Sequence, residues 1–434
     1  MAKIIPKKIA TTIMNALKGG VVPRVGLEYI AVGRTDEINA LLNDVDIISD
    51  GGATFRFIIG KYGSGKSFLL QIIRNYAMER GFVVVDADLS PERRLQGSQN
   101  QGLATYKELI SNMSTKTKPD GGALTQIIEK WISNLQIQVM KETNLEFGSM
   151  QFRKEVEKRI YYVVNDIEGM VNGFDFAKAI ILYYEAFCEM DDDKKSNVLR
   201  WFRGEYATKS EAKKILGINL IVTDQNWYDF LKIFASFVVH TGYKGMLIFV
   251  DELVNLYKIP TKIARQYNYE KLLMMYNDVL QGKASHIGII MGGTPECMED
   301  TRTGIFSYEA LKSRLTGGKY ADHETKDLLA PIIRLEPLSK EEVYVLLEKL
   351  SIIHSNLYSY DLSVQKDDLL MFLQKEYSRM GAMTNLTPRD VIRNFIEVLN
   401  ILYQNPVKTM GEIIGESNYI INEDIEDEFA DFEV

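Results

Sequence analysis

The stretch FRFIIGKYGSGKS, Phe55 to Ser67, limits the possible folds of this chain more than any other. Phe55 to Ile59 is an apolar run of strand length, Gly60 to Gly65 a glycine-rich turn, and SFLLQIIRNYAMERG a helical pattern closed by Gly81. Gly60-Lys61-Tyr62-Gly63-Ser64-Gly65-Lys66-Ser67 matches G-x-x-x-x-G-K-[ST], with strand and helix where that motif needs them. Glycines let successive backbone N–H groups turn onto a phosphate without a Cβ in the way, and the helix N-terminus adds its dipole. In this reading Lys66 reaches the β- and γ-phosphates of ATP and the Ser67 hydroxyl ligates Mg2+. Gly60, Tyr62, Gly63, Ser64, Gly65 and Phe68 complete the cradle.

Such a site needs an acidic partner, and Met246-Leu247-Ile248-Phe249-Val250-Asp251-Glu252 supplies an apolar strand ending in two carboxylates. Asp251 is placed to hold Mg2+ through its water shell, and Glu252 to polarise the attacking water. A strand followed by two acids is a weak signal alone; the phosphate cradle makes it strong.

Bulk properties narrow the class. At 434 residues and 46% hydrophobic, the chain has material for two or three domains. No apolar run approaches the roughly 18 to 20 residues that cross a bilayer. The N-terminus also lacks a signal peptide's apolar centre, so a cytoplasmic location is expected. Cys188 and Cys297 have no metal-like spacing and suit a reducing compartment. The net charge of −8 argues against a protein that coats nucleic acid over its whole surface, leaving DNA contact to a local basic patch. One candidate is RWFRGEYATKSEAKKILGI, Arg200 to Ile218, which interleaves aromatic and basic residues. The pattern equally describes an amphipathic helix pair with Trp201, Phe202 and Ile215 inward and lysines in water, and that reading is preferred. Ser90-Pro91-Glu92-Arg93-Arg94 sets two arginines just past a strand end, where Arg93 or Arg94 could sense phosphate or meet a neighbouring subunit. His240, His286, His323 and His354 are scattered. The tail NEDIEDEFADFEV carries seven carboxylates and reads as a solvated segment or a partner-binding peptide.

Further segments carry a family resemblance. VGLEYIAVGRTDEINAL, Val25 to Leu41, resembles the Gly-Arg-x-x-Glu segment before the P-loop in initiator-like and signalling branches of the AAA+ superfamily, which implies that Val32, Gly33 and Arg34 lie near the nucleotide. HIGIIMGGTPE resembles the sensor-1 strand, with Thr294 at its polar tip positioning the lytic water. ALKSRL resembles the place of an arginine finger offered to a neighbouring subunit, with Arg314 the candidate and Arg302 the alternative. PIIRLEPLSKEEVYVLLEKL resembles the hinge into a helical lid, with Ser339 and Glu342 spaced as a capping box. Thr387-Pro388-Arg389-Asp390 reads as a helix start, with Thr387 at N-cap, Pro388 in the first turn and Asp390 at the capping-box position. The resemblance gives Arg389 the sensor-2 role. Together with VVVDADLSPERRLQG and LTPRDVIRNF, these segments resemble the ATP-binding proteins of BREX phage-resistance systems, the BrxC/BrxD type and most closely the short BrxD form. That resemblance implies an ATP- and Mg2+-dependent ATPase that self-associates in anti-phage defence. The rival expectation is a nucleotide-gated scaffold or loader for a helicase or methyltransferase, with little turnover.

The expected fold is an α/β P-loop core, a parallel sheet between helices, with a large helical insertion and a C-terminal helical lid. The pieces are 1–95 (N-terminal segment and first part of the core), 96–240 (insertion), 241–334 (second part of the core), 335–420 (lid) and 421–434 (acidic tail). Residues 96–240 are expected to be helical because a structureless loop of that length inside a domain is improbable. Too little chain follows the last lid helix for an appended winged-helix domain.

Overall fold

Five runs rich in Val, Ile and Phe become strands: β1 (Ala53–Gly60), β2 (Val83–Asp88), β3 (Met246–Asp251), β4 (Ile287–Gly293) and β5 (Ile332–Leu335). They form one parallel sheet in the order β2-β3-β4-β1-β5, flanked by helices. β4 is buried along its whole length and β1 at all but its first residue, the near-continuous apolar pattern of strands covered on both faces. β2 pairs with β3 from Val83 opposite Met246 to Asp88 opposite Asp251, so two acids end neighbouring strands at the same level. The computed structural model describes residues 5–168, 173–316, 326–361, 364–378 and 387–415. The acidic tail and His323 lie outside the described residues.

The chain divides into two units. The larger comprises residues 40–58 and 76–333 and holds most of the sheet. Within it, residues 96–240 fold mainly as helices, from Gln101–Ser111 to Trp227–His240. An aromatic cluster holds these helices together: the Phe176 ring lies 5.1 Å from both Phe202 and Phe234 and 5.5 Å from Phe237, and Trp131 meets Phe237 edge-on at 5.0 Å. Helix Trp227–His240 also packs against β3, which joins this segment to the sheet. Trp201 and Phe202 are buried, and Arg200 pairs with Glu211 at 3.2 Å, in keeping with the amphipathic reading of that stretch. Ile215, expected inward, is instead 43% exposed. Ala212 and Leu216, one helical turn apart, take the buried face of the short helix Lys209–Leu216, and Ile215 falls about 100° away.

The smaller unit comprises residues 1–39, 59–75 and 334–434. Its described lid helices are Lys340–Tyr358, Lys366–Tyr377, Pro388–Gln404 and Met410–Gly415. Helix Lys7–Lys18 packs against the first and third of these, burying Ala10, Ile13 and Met14. The N-terminal segment up to Asn39 thus falls in the same unit as the lid helices. Both capping boxes form, Ser339 with Glu342 and Thr387 with Asp390. Among the described residues no helix is long and apolar enough to cross a membrane. Cys297 is buried and Cys188 is half-buried, and neither is in a disulfide.

Candidate nucleotide-binding site

In the smaller unit β1 runs out at Gly60, and Leu69 N–H donates to Gly65 O at 2.9 Å to start the following helix. Gly63 and Gly65 adopt φ of 81° and 88°, the left-handed region that a side chain disfavours. The glycines do different work. A Cβ on Gly60 would stand 2.4 Å from Ser64 Oγ, and one on Gly63 would stand 2.7 Å from Thr387 Cβ. A Cβ on Gly65 would meet nothing within 4 Å. Gly60 and Gly63 thus allow close packing, while Gly65 borders open space beside the helix N-terminus.

Two polar side chains of the loop bear on its chemistry. Ser64 Oγ is buried without a hydrogen-bond partner. Lys66 Nζ folds back over the loop, donating to Gly60 O at 2.8 Å and Lys61 O at 3.0 Å, and sits 5.5 Å from the Tyr62 ring centroid. An open side at Gly65, an orphaned hydroxyl, a cation and a helix start fit a phosphate group. Ser67 stands exposed in the first turn and Phe68 is half-buried behind it.

The surrounding segments belong to the same unit. Arg34 is only 6% exposed; its Nη2 donates to Ser64 O at 2.9 Å and also to Glu336 O. Glu37 lies 3.8 Å from its guanidinium. Arg34, expected near the nucleotide, therefore spends its donors on the cradle's own backbone and on the root of the lid. Gly33, with φ of 66°, abuts the Glu342 carboxylate so closely that a Cβ would overlap it. Lys349 Nζ donates to Ala31 O at 2.7 Å, which leaves half-buried Val32 between two anchored neighbours. Arg389 is exposed in the first turn of helix Pro388–Gln404, its side chain against Gly20. Thr387, which caps that helix, is the residue touching Gly63.

In the larger unit Asp251 closes β3, and Glu252 follows with φ of 62°. Left-handed backbone at a non-glycine residue costs on the order of 1–3 kcal/mol and is retained where the surroundings dictate it. Here Glu252 N–H donates to Asp251 Oδ1 at 2.8 Å, Leu253 N–H to Gly292 O at 3.0 Å, and Asn255 Nδ2 to Leu89 O at 2.8 Å. The exposed Glu252 carboxylate is thus presented from a pinned turn. Across the strand register stands Asp88, which sequence reasoning did not single out although it closes β2. Burial first, and then the Asp251, Glu252 and Asp86 carboxylates, hold Asp88 above the usual carboxylate range, with Arg93 acting in the opposite direction. Thr294, 4% exposed, follows β4 and takes the N-cap position of helix Pro295–Glu299 without a side-chain capping bond, its carbonyl accepting from Cys297 Sγ at 3.0 Å.

Among the described residues no group of three or more His, Cys, Asp or Glu could hold a metal by itself. Of the arginines, Arg93 donates from Nε to Asp88 O at 2.9 Å, and Arg94 is fixed through its backbone, N–H to Gln101 O and O from Thr105 Oγ1. Arg314 is exposed on helix Glu309–Leu315, with Nη1 on Ala310 O at 2.7 Å, and Arg302 is exposed in the Asp300 turn.

No curated protein matches the chain. A family model described as BREX system ATP-binding protein BrxC/D matches residues 5–418, which takes in the N-terminal segment, the cradle, the acid-ended strand and the lid. With a match running through every one of those parts, the chain belongs to the family of BREX system ATP-binding proteins BrxC/D and has a defence-system ATP-binding role.

Proposed function

We propose that this chain is an AAA+ type ATPase that binds Mg-ATP, hydrolyses it, and uses nucleotide state to change its self-association and its hold on a partner or on DNA. ATP binding follows from the family; turnover is the added step. The observation that carries it is Glu252, an exposed carboxylate beside Asp251 on a backbone held in the left-handed region. A pure nucleotide switch has no need of a strained, oriented glutamate there.

The roles follow from the chemistry of each group. Lys66 exchanges the carbonyls of Gly60 and Lys61 for phosphate oxygens. The Ser67 hydroxyl and the Asp251 carboxylate are the groups that would ligate Mg2+, which would supply positive charge to the transferring phosphoryl group. Glu252 accepts a proton from water at its carboxylate, and the Thr294 hydroxyl orients that water. Arg389 reports occupancy to the lid, and Arg314 of a second copy supplies the remaining cation, so self-association raises the rate. Arg302 is the alternative finger.

The test measures ATP turnover and solution mass for wild type and Glu252→Gln, each with and without double-stranded DNA. Glu252→Gln is expected to bind ATP normally and lose at least about 100-fold in turnover, the usual worth of a positioned general base. Turnover at the wild-type rate in that variant would remove the assigned mechanism. A wild-type monomer that binds ATP without hydrolysing it would favour the nucleotide-gated scaffold for a helicase or methyltransferase. A salt-sensitive rise in rate with DNA would favour a loader or motor.

A further inference from the structure

Arg34 links two stretches of chain that lie far apart in sequence. One N–H of its Nη2 goes to Ser64 O, in the phosphate cradle, and the other to Glu336 O, at the root of the lid. The side chain is buried, and the Glu37 carboxylate 3.8 Å away balances its charge. A guanidinium is the group for this task, because its planar fork fixes several donors in known directions and stays charged when buried.

The bond to Ser64 has a geometric consequence. A trans peptide is planar, so the carbonyl of residue 64 and the N–H of residue 65 point to opposite sides of one plane. Holding Ser64 O toward Arg34 therefore turns the Gly65 N–H away from Arg34. Gly65 is the cradle residue whose Cβ side is open, with nothing within 4 Å, and its φ of 88° is one only glycine takes without strain. In a motif of this kind the backbone N–H groups of the glycine-rich loop carry the α- and β-phosphates. The other end of the same guanidinium fixes Glu336, three residues before Ser339 caps the first lid helix.

We infer that Arg34 is a positioning residue that aims the Gly65 N–H at a nucleotide phosphate and ties that amide to the lid root, without itself touching the nucleotide. The inference rests on the Mg-ATP reading above and deepens it. It makes the cradle's phosphate affinity and the lid's protection depend on one buried side chain. An arginine that contacted the γ-phosphate would discriminate ATP from ADP, and one that packed on the base would affect adenosine. A peptide-aiming arginine affects every ligand that has a β-phosphate, and affects each equally.

The experiment compares wild type, Arg34→Lys and Arg34→Met for binding of ATP, ADP and adenosine with Mg2+ present. Hydrogen exchange at residues 60–67 and 334–345 is followed with and without ADP, and thermal unfolding serves as the control for folding. Arg34→Lys keeps the charge and loses the planar fork. The expected result is a roughly tenfold loss of affinity, the same for ATP and ADP, with adenosine unchanged. ADP should also no longer slow exchange at 334–345, while it still slows exchange at 60–67 at saturating concentration. Arg34→Met should lose more, and if it does not fold, the lysine variant carries the test. Wild-type affinity in Arg34→Lys would overturn the inference, as would a loss confined to ATP or one extending to adenosine. A wild-type protein that binds neither ATP nor ADP would instead remove the nucleotide reading itself, an outcome visible before any variant is made.

Discussion

The cradle and the aromatic cluster of residues 124–240 put side chains to opposite uses. Around Gly60 to Ser67 the informative atoms are backbone carbonyls, N–H groups and missing Cβ atoms, with Ser64 Oγ orphaned and Lys66 resting on its own loop. Around Phe176 they are rings packed edge to face at 5.1–5.5 Å with no polar partner to satisfy. A cradle of backbone groups and an unsatisfied polar side chain holds little folding energy and is organised for a ligand, whereas a ring cluster holds much folding energy and recognises nothing by itself. Substitutions in the two regions should therefore separate stability from binding.

The largest effect is expected in the cluster. Phe176→Ala should lower stability by about 3–5 kcal/mol, the cost of emptying a buried aromatic site, and leave nucleotide affinity of the folded fraction unchanged. Denaturant unfolding alongside ATP titration checks both halves, and a loss of affinity in folded Phe176→Ala would break the separation. In the cradle, Lys66→Ala should weaken ATP binding by about a hundredfold, roughly 2.7 kcal/mol, with the unfolding midpoint unmoved. Calorimetric titration and a thermal melt read it, and a lowered melt would mean that the lysine's bonds to Gly60 O and Lys61 O hold the fold.

A smaller effect sharpens the comparison in a place that belongs to neither extreme. His354 in the lid is fully buried, with Nδ1 paired to the Tyr360 hydroxyl at 2.9 Å and Nε2 to Asn400 Oδ1 at 3.3 Å, and burial lowers its pKa while the Asn400 contact works partly against this. The folded pKa lies below the unfolded value of about 6.5, so the unfolded chain binds more protons below that pH. Stability from this group is present above about pH 6.5 and is lost as pH falls from there toward the folded pKa, by at most ~1.4 kcal/mol per pH unit. Melts between pH 7.5 and 5.5 should fall more steeply for wild type than for His354→Gln. Parallel slopes would show that carboxylates alone set the acid response.

Legibility followed the range of the interactions. The cradle, the acid-ended strand and both capping boxes were readable because each is set within a few consecutive residues by backbone geometry. Arg34 was also found, through its neighbours, but its partners were not. Ser64 O and Glu336 O lie far from it along the chain, and a carbonyl leaves no mark in a sequence. Asp88 was missed because one acid at the end of a strand looks like any other until the pairing of β2 with β3 sets it opposite Asp251. Ile215 was misplaced because an eight-residue helix allows more than one buried face, and only its packing picks one.

By itself, then, the sequence determined the local machinery: which residues could cradle a phosphate, which strand leads into the Asp251–Glu252 pair, and where helices begin. Hydrogen bonds spanning three or four residues and a glycine's freedom at positive φ are written in consecutive letters. The tertiary structure alone decided how those parts are held. It set the strand order β2-β3-β4-β1-β5, joined the N-terminal helix to the lid, stood Thr387 against Gly63, and drew one guanidinium between the cradle and the lid root. Those outcomes depend on close packing and on buried polar groups finding partners, conditions that only the folded chain brings together.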